Sequence, residues 1–175
     1  LIYNQEELII EMEKINKKSI DETEKHIFQP YIHCEQYSIH VLNDTNGKPI
    51  SVVGMVNLKK HMDGETFNIK TIKDDKLIRI GKKLGEKLGH IGPLSADVHK
   101  IRENYVILEL NPRISGCYSI SHYASNFTEK LVSIIEGKKV KSKIDDYRKD
   151  VIMMKEFAVY QTTEDKIDRK IIKYL

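Results

Sequence analysis

The sequence holds only two cysteines, Cys34 and Cys117, and no tryptophan in 175 residues. Two distant thiols without ligand spacing exclude a disulfide scaffold and a zinc ribbon, and they fit a reducing cytoplasm. No apolar run approaches the roughly 20 residues of a membrane helix, and no stretch reads as a signal peptide. Glycine (9) and proline (4) are sparse, with no Gly-rich phosphate loop, internal repeat or low-complexity linker. Aromatic residues, at 7%, are scattered rather than clustered into the stacking platform of a single-strand binder. A net charge of +3 is too weak to imply nucleic acid without a concentrated patch. The basic run Lys138, Lys139, Lys141 and Lys143 reads as a solvated linker. What remains is an ordinary globular composition, 40% hydrophobic and 31% charged, enough for one domain or one plus part of a neighbour.

The pattern starts with a helix. Asn4 and Glu7 form a capping box ahead of Leu8, Met12 and Ile15 on one face. Beginning at Leu with a helix already under way, the chain is expected to be a fragment or to lack upstream residues. HIFQPYI (26–32) reads as an edge or crossing strand because of its Pro. QYSIHVL (36–42) and PISVVGMVNL (49–58) read as a hairpin around Asn46-Gly47. KKHMDGET (59–66) is a loop and FNIKTI (67–72) a short strand. Asp74 or Asp75 caps the clearest helix, with Leu77, Ile80, Leu84 and Leu88 at helical spacing and Gly89 and Gly92 ending it. PLSADVH (93–99) and YVILELN (105–111) are strands joined by KIREN. A third helix is expected from Asn126, capped with Glu129, to Gly137. DVIMMKEFAVY (150–160) reads as a last strand. Hairpins beside three helices predict an α+β fold with an antiparallel sheet flanked by helices.

Chemistry concentrates in ELNPRISG (109–116). On a strand Glu109, Asn111 and Arg113 share one face and Leu108 and Leu110 the other. A carboxylate, an amide oxygen and a guanidinium suit a hard cation and the phosphate it holds. Asp97 lies twelve residues before Glu109, with the midpoint at position 103 inside KIREN. A hairpin symmetric about that point sets the two carboxylates opposite each other, with Cβ atoms about 4.5–5.5 Å apart. The alternative is that Asp97 faces solvent and Glu109 pairs with Arg113 as a structural contact.

The segment GPLSADVHKIRENYVILELNPRISG (92–116) resembles the metal- and phosphate-binding hairpin of the ATP-grasp superfamily, most of all the branch of the carbamoyl phosphate synthetase large subunit and related carboxylate–amine ligases. The resemblance implies that Asp97, Glu109 and Asn111 are metal ligands and that Arg113 contacts the transferred phosphate as the catalytic residue. FQPYIHCEQYSIHVL (28–42) is similar to the family's hinge. That likeness implies an adenine site at Gln29, Tyr31 and Ile32, a ribose contact at Glu35, and His99 beneath the adenine. Cys34 and Gln29 depart from the family pattern, where Gly and Glu are common. MDGET (62–66) resembles a loop near the phosphates.

The resemblance covers most of residues 4–137 but only the second half of a complete unit, whose upstream half supplies two lysines and a lid. The domains expected are a remnant of the lid lobe and hinge (1–32), the C-terminal nucleotide- and metal-binding lobe (33–140) and an extension (141–175). The cofactors implied are ATP and Mg2+, with Mn2+ as a substitute. The implied reaction is ligation: a small carboxylate substrate is activated as acyl phosphate for attack by an amine or ammonia. The piece alone is expected to be inactive without the missing upstream ATP-grasp half, and homo-oligomers are compatible with it. A cytoplasmic location, with no nucleic-acid or membrane partner, is expected. The rival reading is a non-catalytic nucleotide-binding or assembly module derived from a truncated lobe.

Overall fold

The computed structural model describes residues 2–18, 27–60 and 66–156. The chain divides into two compact units, Leu1–Cys34 and Glu35–Leu175. In the first, helix α1 (Gln5–Lys18) starts as its capping box predicts. The Asn4 Oδ1 accepts from the Glu7 N–H at 2.9 Å, and the Glu7 carboxylate reaches back to the Tyr3 N–H at 2.9 Å. Residues 27–34 run without strand pairing, so the strand expected at 26–32 is not formed there. Pro30 offers no N–H to a ladder; His26 lies outside the described residues.

The second unit is built on a six-stranded antiparallel sheet of order β5-β4-β1-β2-β3-β6. Its strands are β1 (Glu35–Asn43), β2 (Pro49–Lys60), β3 (Thr66–Thr71), β4 (Gly92–Ile101), β5 (Asn104–Asn111) and β6 (Ile152–Met154). The β1–β2 turn is the one its sequence predicts. Asp44 Oδ1 accepts from the N–H groups of Asn46 and Lys48, and Gly47 takes the left-handed φ of 71°. Lys59 and Lys60, expected in a loop, continue β2; residues 61–65 of that loop are outside the described residues. The strand expected over 150–160 is short, Ile152–Met154, with 157–160 also outside.

One sheet face is closed by helix α2 (Asp75–Leu88), capped by Asp74 and ended by left-handed Gly89. Tyr37, Ile39, Val41, Val52, Leu94, Ala96 and Val98 form the core beneath it with Leu77. The helix lies so near the sheet because Gly81 and Gly85 face it. A Cβ at Gly81 would sit 2.5 Å from Val52 Cγ1 and 2.7 Å from Ile39 Cγ2. Leu88, expected on the buried stripe, is half exposed instead.

The other face is covered by two short helices, α3 (Tyr118–Ser125) and α4 (Phe127–Ile135). Four helices therefore flank or precede the sheet among the described residues, where three are expected from the sequence. The box expected at Asn126 is not made. Asn126 adopts φ 53° to end α3, so its side chain caps nothing, and Glu129 meets His122 at 3.4 Å. Ile120 and Ala124 of α3 pack on Val53, Met55 and Ile69, while Phe127 and Ile134 of α4 pack on Leu42 and Ile50. Tyr147 inserts from the following segment. Its hydroxyl accepts from the Gly54 N–H at 3.2 Å and donates to the Ile72 carbonyl. No helix of the described residues is long and apolar enough to cross a membrane.

Candidate metal and phosphate cleft

The face that carries α3 and α4 turns polar toward β4 and β5. The β4–β5 hairpin turns on two residues, Arg102 and Glu103, with Arg102 at φ 55°. A turn centred there would set Asp97 opposite Leu108. An irregularity between Asp97 and Val98 takes up one residue, and Glu109 becomes the partner of Asp97. The register expected from the twelve-residue spacing is thus reached by a two-residue turn plus a bulge. Beyond it Ser95 pairs with Asn111, so Asp97, Glu109 and Asn111 come to one cleft.

That cleft has a volume of about 340 Å³ and lies entirely on the 35–175 unit. Besides Asp97, Glu109, Asn111 and Arg113 it is lined by Ser38, Ser95, Thr66, Ser115, Lys60 and Lys155, with Gly116 and Cys117. Ser38, opposite Asp97 on β1, lies 3.2 Å from both Asp97 Oδ1 and Asn57 Oδ1 and can donate to either. After β5 the chain turns tightly, the Arg113 N–H donating to the Asn111 carbonyl at 2.8 Å. The guanidinium donates to the Ile114 carbonyl at 3.1 Å. Glu109 makes no ion pair with Arg113, so the structural pairing weighed for those two residues is not formed. Among the described residues no three His, Cys, Asp or Glu side chains gather as a metal group. The candidate set is two carboxylates plus the amide oxygen of Asn111. These hard oxygen donors on one wall, with two like charges opposed, fit a hard divalent cation.

His99 shares the cleft's face, two residues beyond Asp97 on β4 and paired with Gln36 of β1. Glu35 does not. It lies on the α2 side, where its carboxylate accepts from the Tyr37 hydroxyl at 2.9 Å. Burial first, and the Glu35 carboxylate second, push the Tyr37 hydroxyl up to about 12. Side chains alternate along β1, so Glu35, expected to contact ribose, lies on the α2 side and Gln36 shares the cleft's face. The Gln36 Oε1 is buried with no hydrogen-bond partner among the described residues. Gln29, Tyr31 and Ile32 are exposed positions of the other unit. Residues 62–65 of MDGET lie outside the described residues, and Thr66 lines the cleft. Ser38 and Ser95 were within reach of the alternation argument; Lys155, 46 residues after Glu109 by numbering, carries no sequence signal.

These features meet in a known class. Residues 5–117 match the model of the ATP-grasp domain family, and the chain belongs to that family. The fold is also that of an ATP-grasp lobe in solved biotin carboxylase domains. The biotin carboxylase domain of Hydrogenobacter thermophilus 2-oxoglutarate carboxylase, solved with MgADP, ADP and bicarbonate, superposes with a TM-score of 0.61 at 16% identity, over 85% of this chain and 36% of that one. Pyruvate carboxylase of Rhizobium etli gives 0.55 at 12% identity, over 73% of this chain and 14% of that one. The chain thus spans about a third or less of these structures. No curated protein matches the sequence.

Proposed function

We propose that the chain is the ATP- and Mg2+-binding part of an ATP-grasp ligase that activates a small carboxylate as acyl phosphate for attack by an amine or ammonia, in the manner of the carbamoyl phosphate synthetase branch. The observation that carries this reading is the cross-strand pair Asp97–Glu109, with Asn111 and Arg113 on the same cleft. Family membership supports nucleotide binding, and the MgADP and bicarbonate in the Hydrogenobacter domain support a magnesium nucleotide and a small oxyanion as ligands. Residues 1–32 would form the lid-lobe remnant and hinge, 33–140 the nucleotide lobe and 141–175 an extension.

Asp97, Glu109 and Asn111 would hold the cation, which when bound supplies charge neutralisation on the phosphates. Ser38 fixes the Asp97 carboxylate against β1. Arg113, on the tight turn after β5, offers planar donors to the transferring phosphoryl group, and Lys60 and Lys155 add positive charge at the same cleft. Gln36 and His99, paired across β1 and β4 on this face, would meet the nucleoside, with the Gln36 Oε1 as acceptor. Gln29, Tyr31 and Ile32 would supply the adenine wall.

Glu109→Gln keeps the shape and removes one ligand charge. Calorimetric titration of ADP with Mg2+ should show binding to the parent chain and a loss of at least about tenfold in the variant, the scale of a charge-assisted contact. Unchanged Mg2+-dependent affinity would overturn the metal assignment. Phosphate release stimulated by a carboxylate, measured with the complete parent protein, tests the ligase chemistry.

A further inference from the structure

The lysines of the basic run after α4 are exposed, but its backbone is anchored. The Lys143 N–H donates to the Ile50 carbonyl at 2.9 Å and the Val52 N–H to the Ile144 carbonyl at 2.8 Å, which fastens the segment along β2. The Arg148 N–H donates to the Ala124 carbonyl at 2.9 Å, which ties its other end to α3. Between these anchors and the head of α4 lies a second cavity of about 710 Å³. It shares no lining residue with the Asp97–Glu109 cleft.

Four cations line this cavity, Lys130 from α4 and Lys141, Lys143 and Arg148 from the segment that follows, against one carboxylate, Asp146. That carboxylate is engaged by Lys143 at 3.0 Å. Arg148 is oriented by Tyr123, whose carbonyl accepts from its guanidinium and whose ring lies 4.1 Å beneath it. Lys130 is half-buried, with its amine 3.4 Å from Ser51 Oγ. Burial pulls its pKa down, and the nearby Lys143 adds to that against Asp146 and Glu129. Asp146 offsets part of that cost, but Lys143 takes up the same carboxylate, which leaves four cations to one carboxylate along the cavity. The volume is that of a small-molecule pocket, and lysine ammonium with arginine guanidinium is a donor set for phosphate oxygens.

We propose that this cavity is a second anion site, binding a small phosphate-bearing molecule through Lys130 and Lys141, with Lys143 and Arg148 supplying the surrounding field. The site stands independently of the magnesium–nucleotide reading, because its residues are different and it needs no metal.

The test is calorimetric titration of the full chain with inorganic pyrophosphate, in EDTA and at constant ionic strength. One saturable site is expected. Lys130→Met and Lys141→Met should each weaken it about five- to tenfold, the loss of one charge-assisted contact, while Arg113→Met, in the other cleft, leaves it unchanged. The exposed Lys141 carries the test should Lys130→Met lower the melting temperature. No saturable binding, parental affinity in both lysine variants, or a loss confined to Arg113→Met would each overturn the proposal. The last outcome would place the anion in the other cleft.

Discussion

His40 stands in the middle of β1 with 3% of its surface exposed, its Nδ1 2.7 Å from the hydroxyl of Ser121 on α3. Burial alone lowers its pKa from 6.5 to about 4, so at neutral pH the ring is uncharged in the folded chain. In the unfolded chain the ring takes up a proton below about 6.5. Between these two values the unfolded state binds more protons, and folding stability falls as pH falls. The contribution is fully present above 6.5, is lost through the window down to about 4, and does not change further below it. A gap of that size corresponds to roughly 3 kcal/mol, a large share of the stability of a domain this size. The assay is urea denaturation from pH 7 to pH 4 on the parent and on His40→Gln, which keeps a polar partner for Ser121 but does not titrate. Asp74 and Asp146, whose carboxyls are held below their ordinary values, add an acid sensitivity common to both proteins. The parent should lose about 3 kcal/mol more than the variant across the window. Parallel pH profiles would refute the reasoning and mean that the ring is protonated in the folded state.

Three further substitutions probe the packing of the helices and the Tyr147 segment on the sheet. Gly81→Ala gains about 1 kcal/mol of helix propensity, but its Cβ would meet Val52 and Ile39 at 2.5 and 2.7 Å. Overpacking costs about 1–3 kcal/mol, so a net loss is expected by urea denaturation. Asp74→Ala removes the acceptor of the Leu77 N–H at 3.0 Å and of the Tyr105 hydroxyl at 2.8 Å. It should cost about 1–2 kcal/mol, with faster amide exchange confined to the first turn of α2. Tyr147→Phe keeps the ring and removes the acceptor for Gly54 and the donor for Ile72. A loss of about 1–3 kcal/mol is expected, read as a lower urea midpoint at unchanged slope.

The fold was legible where one local rule sufficed. The Asn4–Glu7 box, the Asp44–Gly47 turn and the Asp74 cap act over three or four residues, and each stands as the sequence implies. Asn126 failed the same reasoning because two helices meet there, and the left-handed backbone that ends α3 takes the cap away from α4. Helix α3 itself, YSISHYAS, is rich in residues of modest helix propensity and holds through Ile120 and Ala124 packed on the sheet. In α2 the leucines drew attention, whereas Gly81 and Gly85 make the close approach. Glu35 lies on the face opposite the cleft and Gln36 on the cleft's face, because a strand turns a one-residue offset into the opposite face. The Asp97–Glu109 pairing was legible, although the turn centre and the bulge that together produce it were not.

The same pair sets up a two-signed prediction. Like charges directly opposite on an antiparallel ladder are destabilising, by about 0.2–1 kcal/mol at an exposed position. Asp97 has Ser38 to relieve it, whereas Glu109 is exposed and makes no ion pair among the described residues. A pair that serves only the fold should lose stability when one member is neutralised. A pair that waits for a cation should gain it. Glu109→Gln is therefore expected to raise the urea midpoint slightly in EDTA and to abolish the stabilisation that Mg2+ with ADP gives the parent. A lower midpoint in EDTA would mean that the Glu109 charge supports the hairpin itself. The donor set would then have to be rebuilt around Asp97 and Asn111 alone.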